Sequence, residues 1–162
     1  MRATSDDAAT LQNLLQLYTH DFSEFWAGTA TGDLGPDGRF EDYPLDPYWQ
    51  TPGWRAWLFE ADGALAGFAL VNDDAHSTLP ADHSMAEFFV ARKYRRLGVG
   101  QFAAHRLFAD APGQWEVAVI RKNVAAQAFW RRAVSTCAAA REVTELDLDD
   151  ANWKGPVLRF RT

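Results

Sequence analysis

The sequence predicts one α/β domain of the α+β type, in which helices flank a single mixed, largely antiparallel central sheet. Between Met85 and Phe108 a strand, a glycine-containing loop and a helix follow one another, and this order predicts one crossover connection to a parallel strand. Elsewhere, apolar runs separated by short turns predict antiparallel strands. The length of 162 residues suits one domain, so we place a single domain at 1–162.

The first half of the chain predicts one helix, an irregular segment and two strands. Residues 11–25 repeat apolar side chains at helical spacing, and residues 5–7 offer capping side chains before them. From 28 to 53, which we call the lobe, Gly, Pro, Asp and aromatic residues break any period. The runs 54–60 and 64–72 flank Asp62 and Gly63, a strong hairpin signal, and predict two antiparallel strands.

The second half predicts four strands and two helices. Residues 86–90 form a short apolar strand, the helix after the glycines ends at 111–113, and 115–120 resemble a buried strand. Asn123 can cap a second helix, and 142–148 and 157–161 alternate as two closing strands. The predicted order of elements is therefore α, β, β, β, α, β, α, β, β.

Composition restricts the partners and the compartment. The formal charge of −6, with basic residues gathered at 92–96, argues against nucleic acid as a partner. The single cysteine cannot form an intramolecular disulfide, and no apolar run is long enough to cross a membrane. No signal-peptide pattern follows Met1. We expect a cytoplasmic protein without membrane partners. Assembly into a homodimer is compatible with the sequence.

Residues 95–101, Arg-Arg-Leu-Gly-Val-Gly-Gln, form what we call the glycine loop. Glycines let a ligand approach the backbone closely, and the amides at a helix N-terminus are unpaired and attract anions. A nucleoside-triphosphate P-loop is excluded because only one residue separates Gly98 from Gly100. The dinucleotide fingerprint fits Gly98, Gly100 and Ala103, but its late position and the location of Glu116 at the start of a strand argue against it.

The spacing Arg95-x-x-Gly98-x-Gly100 resembles the signature of the GNAT superfamily of acetyltransferases, and the segment 123–130 follows at the expected distance. The resemblance implies a GNAT-like acyltransferase fold with acetyl-coenzyme A (acetyl-CoA) as cosubstrate and no metal. That family usually opens with a strand, for which residues 1–4 leave almost no room. The alternative to phosphate binding by Arg95 and Arg96 is that they belong to a solvated basic turn without a ligand. The resemblance assigns the pyrophosphate to amides of the glycine loop: Arg95, Arg96, Leu97, Gly98, Val99, Gly100 and Gln101.

The same resemblance implies roles for residues outside the loop. Glu87 matches a family position for the general base, and a carboxylate in an apolar strand has a raised pKa unless it has partners. The alternative is a structural glutamate. An amide near Phe89 or Val90 would bind the thioester carbonyl. Asn123 would contact the pantetheine arm, unless it only caps a helix, and Phe129 would pack on that arm.

Position 130 departs from the family pattern. Many GNAT enzymes carry a tyrosine there that protonates the leaving thiolate, whereas this chain has Trp130, and an indole is not an acid near neutral pH. The thiolate can leave unprotonated, or Tyr94 or water can serve instead. Two functions follow: an N-acetyltransferase, or a coenzyme A binding domain without turnover.

The acceptor and the remaining reactive side chains are less specific. The lobe mixes carboxylates and aromatic rings that suit a cationic amine, although packing of the lobe on the sheet is the simpler interpretation. We expect a small-molecule or peptide amine. Cys137 lies among alanines and reads as a packing residue rather than a nucleophile. The four histidines show no metal-ligand spacing, so we predict no metal site.

Overall fold

The structure is a computed structural model that describes all 162 residues and contains one six-stranded sheet. The sheet order is β1-β2-β3-β4-β6-β5, and only β3 and β4 pair in parallel. The predicted mixed, largely antiparallel sheet is therefore confirmed. The strands are β1 (Arg55–Ala61), β2 (Ala64–Asn72), β3 (His83–Val90), β4 (Gln114–Ala118), β5 (Arg141–Asp149) and β6 (Lys154–Arg161). The helices are α1 (Ala8–Phe22), α2 (Asp46–Gln50), α3 (Val99–Asp110) and α4 (Val124–Ser135).

The predicted first helix is interrupted at both ends. A short 3-10 helix, Ser5–Asp7, precedes α1, and another, Ser23–Trp26, follows it. The Thr4 amide donates to the Asp7 carboxylate over 2.9 Å, which caps the start. Helix α2 was not predicted because its five residues are too few to show an apolar period.

The first three residues pair with the sheet, although they form no full strand. The Leu58 amide donates to the Met1 carbonyl, and the Ala3 amide donates to the Ala56 carbonyl, each over 2.9 Å. An isolated antiparallel bridge joins Arg2 to Trp57. These contacts lie at the outer edge of β1, where a further strand would pair.

Two apolar cores lie on opposite faces of the sheet. One contains Phe108 of α3 and Val134 of α4 against Trp115 and Phe160. The other packs α1, α2 and part of the lobe against β1, β2 and β3. None of the helices combines the length and the apolar composition that crossing a bilayer requires.

A buried ion pair fixes one end of the sheet. Glu116 on β4 is fully buried, and its carboxylate receives Arg159 Nη1 of β6 at 2.6 Å. Ser77, in the β2–β3 connection, donates its hydroxyl and its amide to the same carboxylate. Arg159 also donates to the Pro80 carbonyl over 2.6 Å. The connection from β2 to β3 is thereby fastened across the sheet.

Candidate active site

Strands β3 and β4 separate to form a cleft. They pair only at His83 with Trp115 and Ser84 with Glu116, near the start of β3, and no ladder joins them further along. The carboxyl end of β3 therefore has one unpaired edge. The glycine loop and the start of α3 follow directly from that end.

The unpaired edge presents one amide at the position predicted for the thioester. The Ala91 amide donates to the Ala66 carbonyl of β2 over 2.8 Å. Because amides alternate along a strand, the Phe89 amide also points toward β2, and the Val90 amide points into the cleft. Of the two candidates, Val90 has the available donor.

The glycine loop presents six consecutive unpaired amides. The N–H groups of residues 96–101 donate to no atom of the protein, and the first amide of α3 that is paired belongs to Phe102, which donates to the Gly98 carbonyl over 2.9 Å. The Arg95 amide, which the sequence predicted as a further donor to the pyrophosphate, is instead paired, because it donates to the Arg92 carbonyl over 3.2 Å. Residues 95–98 are exposed. These unpaired donors lie at the positive end of the α3 dipole, where they are available to an anion.

The two glycines of the loop serve different needs. Gly98 has φ = +84°, and nothing lies within 4 Å of where a Cβ would be, so a ligand can approach its backbone. A Cβ on Gly100 would lie 3.3 Å from the Phe129 ring and from Val90 Cγ2. Gly100 therefore allows α3 to pack closely against β3 and α4. The sequence interpretation had assigned ligand access to both.

The arginines of the loop also differ. The Arg95 guanidinium donates to the Val90 carbonyl over 2.7 Å and forms an ion pair with Asp21 of α1, so it is held within the protein. Arg96 has a left-handed backbone, φ = +64°, and forms no ion pair. Of the two guanidiniums, that of Arg96 is the free one.

Segment 123–130 lies against the other side of the cleft. The Asn123 side chain accepts from the Ala126 amide over 3.0 Å, so the predicted helix cap is present. Its amide NH2 group has no partner within the protein. Phe129 is partly buried and stacks on Phe88 of β3, with ring centroids 5.7 Å apart. Phe129 thus forms an apolar wall between α3, α4 and β3.

Trp130 is a core residue. Its side chain is 5% exposed and packs edge-on against Phe88, with centroids 4.9 Å apart, and against Phe108 at 6.3 Å. Tyr94, the other candidate acid, lies beneath the Lys93 ammonium at 5.2 Å. Trp130 is therefore not placed as an acid for a thiolate.

Glu87 sits at a bulge in β3. Leu70 of β2 pairs with Glu87 and Val71 pairs with Met85, so β3 contains one extra residue between them. Downstream of the bulge, Glu87 and Phe89 face α1 and the lobe, whereas Phe88 faces α3 and α4. The carboxylate therefore lies on the sheet face opposite Phe129 and Trp130.

The surroundings of Glu87 favour its neutral form. Burial raises the pKa of the carboxyl to about 7, and the adjacent hydroxyls of Tyr18 and Tyr43 oppose this rise because they stabilise the charge. No cation is paired with it. Burial first, and then the charge of Glu87, raise the pKa of Tyr18 and of Tyr43. The Tyr48 hydroxyl is buried without a hydrogen-bond partner.

Sequence reasoning did not connect these tyrosines with Glu87. Tyr18 continued the apolar period of the first helix, and Tyr43 was one aromatic residue among several in the lobe. The structure fixes Tyr43 through Gln12 of α1, whose side-chain amide donates to the Tyr43 carbonyl over 2.6 Å and accepts from its N–H over 3.2 Å. Gln16 binds Phe40 in the same way. Gln12 and Gln16, four positions apart in the predicted first helix, were the sequence signal for this contact between α1 and the lobe.

The remaining candidates lie away from this cleft. Cys137 is buried in the core beside α4, as predicted for a packing residue. A surface cavity of about 390 Å³ lies inside the lobe and is lined by eight residues, among them the four carboxylates Asp33, Asp37, Glu41 and Asp42. It shares no residue with the cleft.

Comparisons with known proteins agree with this architecture. The model of the acetyltransferase (GNAT) family matches residues 11–134. A GNAT-family acetyltransferase from Staphylococcus aureus Mu50 superposes with a TM-score of 0.58 at 12% identity, over 99% of this chain and 96% of that one. The ribosomal-protein-alanine N-acetyltransferase of Brucella melitensis gives 0.55 at 14% identity, over 100% and 97%.

A third structure includes the donor. The yncA protein of Salmonella typhimurium, solved with its cofactor acetyl-CoA, gives a TM-score of 0.54 at 14% identity, over 99% of this chain and 89% of that one. A search of curated protein sequences found no match. The superpositions confirm the fold that the sequence predicted.

Proposed function

Because the chain belongs to the acetyltransferase (GNAT) family, we propose that it transfers the acetyl group of acetyl-CoA to an amine, with Glu87 as general base. The observation that carries this proposal is the run of six unpaired amides at residues 96–101, directly after the open end of β3. Such a run at a helix N-terminus suits a diphosphate, whose oxygens would accept several of these donors at once.

The residues of the cleft fit the rest of the donor. From the glycine loop, an extended thioester arm would run along the unpaired edge of β3, between Val90 and Phe129. The Val90 amide would donate to the thioester carbonyl oxygen, where negative charge develops during attack. Asn123 would offer its free NH2 group to the amide carbonyls of the arm, and Phe129 would cover its apolar part.

Glu87 would remove the proton that the amine must lose. An ammonium with a pKa near 10 is deprotonated in about one molecule in a thousand at neutral pH. A carboxyl with a pKa of about 7 is ionised to a useful degree at that pH and is a stronger base than an ordinary glutamate. The bulge at Glu87 turns this carboxylate toward the lobe, from which the acceptor would enter.

The proposed reaction balances without a further acid. The ammonium gives one proton to Glu87, directly or through water, and the free amine nitrogen then forms a bond to the thioester carbon and releases its second proton to solvent. The carbon–sulfur bond then breaks, and coenzyme A leaves as a thiolate that takes a proton from solvent. Trp130 lies in the core and is given no role in this step.

The acceptor is proposed only as a class. It is an amine, on a small molecule or on a peptide, that reaches Glu87 past Tyr18 and Tyr43. The alternative function is a coenzyme A binding domain without turnover, which the tryptophan at position 130 favours.

Release of free thiol from acetyl-CoA in the presence of an amine panel separates these functions. For the enzyme, we expect acceptor-dependent release, and we expect Glu87→Gln to reduce kcat at least about a hundredfold with coenzyme A affinity unchanged. Calorimetric binding of coenzyme A without release for any amine would favour the binding domain. Undiminished turnover by Glu87→Gln would remove the base assignment alone.

A further inference from the structure

The end of α1 is joined to the glycine loop by a set of charged contacts that no role proposed above uses. Asp21, in the last turn of α1, receives Arg92 Nη2 on Oδ1 at 2.6 Å and Arg92 Nε on the same oxygen at 3.1 Å. Arg95 donates to its other oxygen, Oδ2. One carboxylate therefore binds both guanidiniums that flank the turn from β3 into the loop.

Arg95 also contacts the backbone of the cleft. Its Nε donates to the Val90 carbonyl over 2.7 Å, and its guanidinium lies 5.6 Å from the centroid of the Phe89 ring. The residue whose amide faces the thioester position is thus held through its carbonyl by the first residue of the loop. Both contacts need the planar, forked guanidinium.

The loop needs such support because its own backbone provides little. Residues 96–101 use none of their six amides within the protein, and Arg96 and Gly98 both have left-handed backbones. A loop without internal hydrogen bonds loses conformational entropy when a ligand orders it. Contacts that hold it in place beforehand remove that loss from binding.

We propose that Asp21 is a positioning residue for the donor: through Arg92 and Arg95 it holds the glycine loop in the shape that binds the diphosphate of acetyl-CoA. This inference rests on the proposed function. Asp21 lies three residues after Tyr18, which borders Glu87. The end of α1 would therefore support both the glycine loop and the surroundings of the proposed base.

The charges in this cluster support the assignment. Burial alone would raise the pKa of Asp21, but the bonds from Arg92 and Arg95 outweigh burial and hold its pKa below the usual range. Asp21 is therefore anionic at neutral pH, close to a proposed binding site for an anion. Its presence there opposes ligand binding by simple Coulomb repulsion, so any benefit must come from holding the arginines.

Because repulsion by Asp21 and its support of the loop have opposite effects on affinity, the direction of the change in affinity distinguishes them. Asp21→Asn removes the charge, keeps the shape and frees two guanidiniums. If Asp21 positions the loop, coenzyme A should bind about tenfold more weakly by calorimetry, which is the scale of one lost charge-assisted hydrogen bond. The KM for acetyl-CoA should rise by the same factor, with kcat changed less than about twofold.

Two further variants complete the test. Glu145→Gln breaks a comparable two-bond pair, with Arg131 on the α4–β5 side, and should leave the affinity for coenzyme A unchanged. Arg95→Lys keeps the charge but cannot contact Asp21 and Val90 together, and should also bind about tenfold more weakly. It provides the same test if Asp21→Asn does not fold.

Unchanged or tighter binding by Asp21→Asn, while the wild type binds, would overturn this inference and leave the proposed function intact. Tighter binding would mean that Asp21 only competes with the ligand for the arginines. Absence of coenzyme A binding by the wild type would overturn the proposed function itself, and this inference with it.

Discussion

The two ends of the β3–β4 pair show opposite treatments of polar groups. At the paired end, Glu116 is fully buried and its carboxylate is bound by Arg159 and Ser77. At the open end, Glu87 has no cation, and the loop that follows leaves six amides unpaired. Both carboxylates lie on apolar strands. A buried carboxylate with a counter-charge thus holds the structure together, whereas one that has only hydroxyl neighbours keeps a raised pKa and can exchange a proton.

The largest expected effect is at the paired end. Glu116→Gln would leave the Arg159 guanidinium buried without its counter-charge, and we expect the free energy of unfolding to fall by about 3–5 kcal/mol. Chemical denaturation at neutral pH measures this loss. A loss below about 1 kcal/mol, the range of an exposed ion pair, would show that the two ends do not differ in this way.

The same substitution at Glu87 should act in the opposite direction. The folded pKa of about 7 lies above the ordinary value of 4.5, so the contribution of this carboxyl to stability is complete below about pH 4.5 and is lost as the pH rises through about 7. Glu87→Gln carries no such titration. We therefore expect it to match the wild type near pH 4 and to be more stable by about 3 kcal/mol at pH 8, where the shift of the pKa from 4.5 to about 7 acts in full.

The sequence could not distinguish these two glutamates by their neighbours. Each is the lone acid in an apolar strand, and the partners of Glu116 lie 39 and 43 positions away, at Ser77 and Arg159. What the sequence did predict was the sheet, the crossover and the glycine loop, because these depend on local periods and short spacings. The ion pair depends on strand register and on a loop position that no local pattern encodes.

A smaller effect is expected at the open end, on the pKa of Glu87. The Tyr43 hydroxyl stabilises the charged form of Glu87, so Tyr43→Phe should raise the pKa of Glu87 further. We expect the rising limb of kcat against pH, with its midpoint at about 7, to move upward by about one unit, equivalent to about 1.4 kcal/mol. A pH profile with a saturating amine measures the midpoint.

Tyr94→Phe provides the matched control. Tyr94 contacts Lys93 rather than Glu87, so its removal should leave the midpoint in place. An unmoved midpoint in Tyr43→Phe would mean that the phenols near Glu87 only fill space. The open end would then resemble an ordinary packed surface more than a proton-transfer site.

The glycine loop shows which parts of the candidate site were within reach of sequence reasoning. The motif predicted a turn before α3 and a helix cap at Asn123, and both are present, but it could not show that Arg95 binds Asp21, 74 positions away. It also treated two glycines as equivalent, although only Gly98 has a positive φ and open space. Spacing defines where a backbone turns, whereas tertiary contacts decide which side chain stays free.

The smallest effect expected here separates ligand access from backbone strain. Gly98→Ala forces a side chain into the left-handed region, which costs about 1 kcal/mol, and the distorted amides should bind coenzyme A about fivefold more weakly. Gly63→Ala imposes the same strain in the β1–β2 hairpin, at φ = +72° and also with open space around it. Both variants should lose similar stability in thermal denaturation, but only Gly98→Ala should lose affinity in calorimetry. If Gly98→Ala bound coenzyme A as tightly as Gly63→Ala does, the unpaired amides of the glycine loop would be exposed to water and would not bind this ligand.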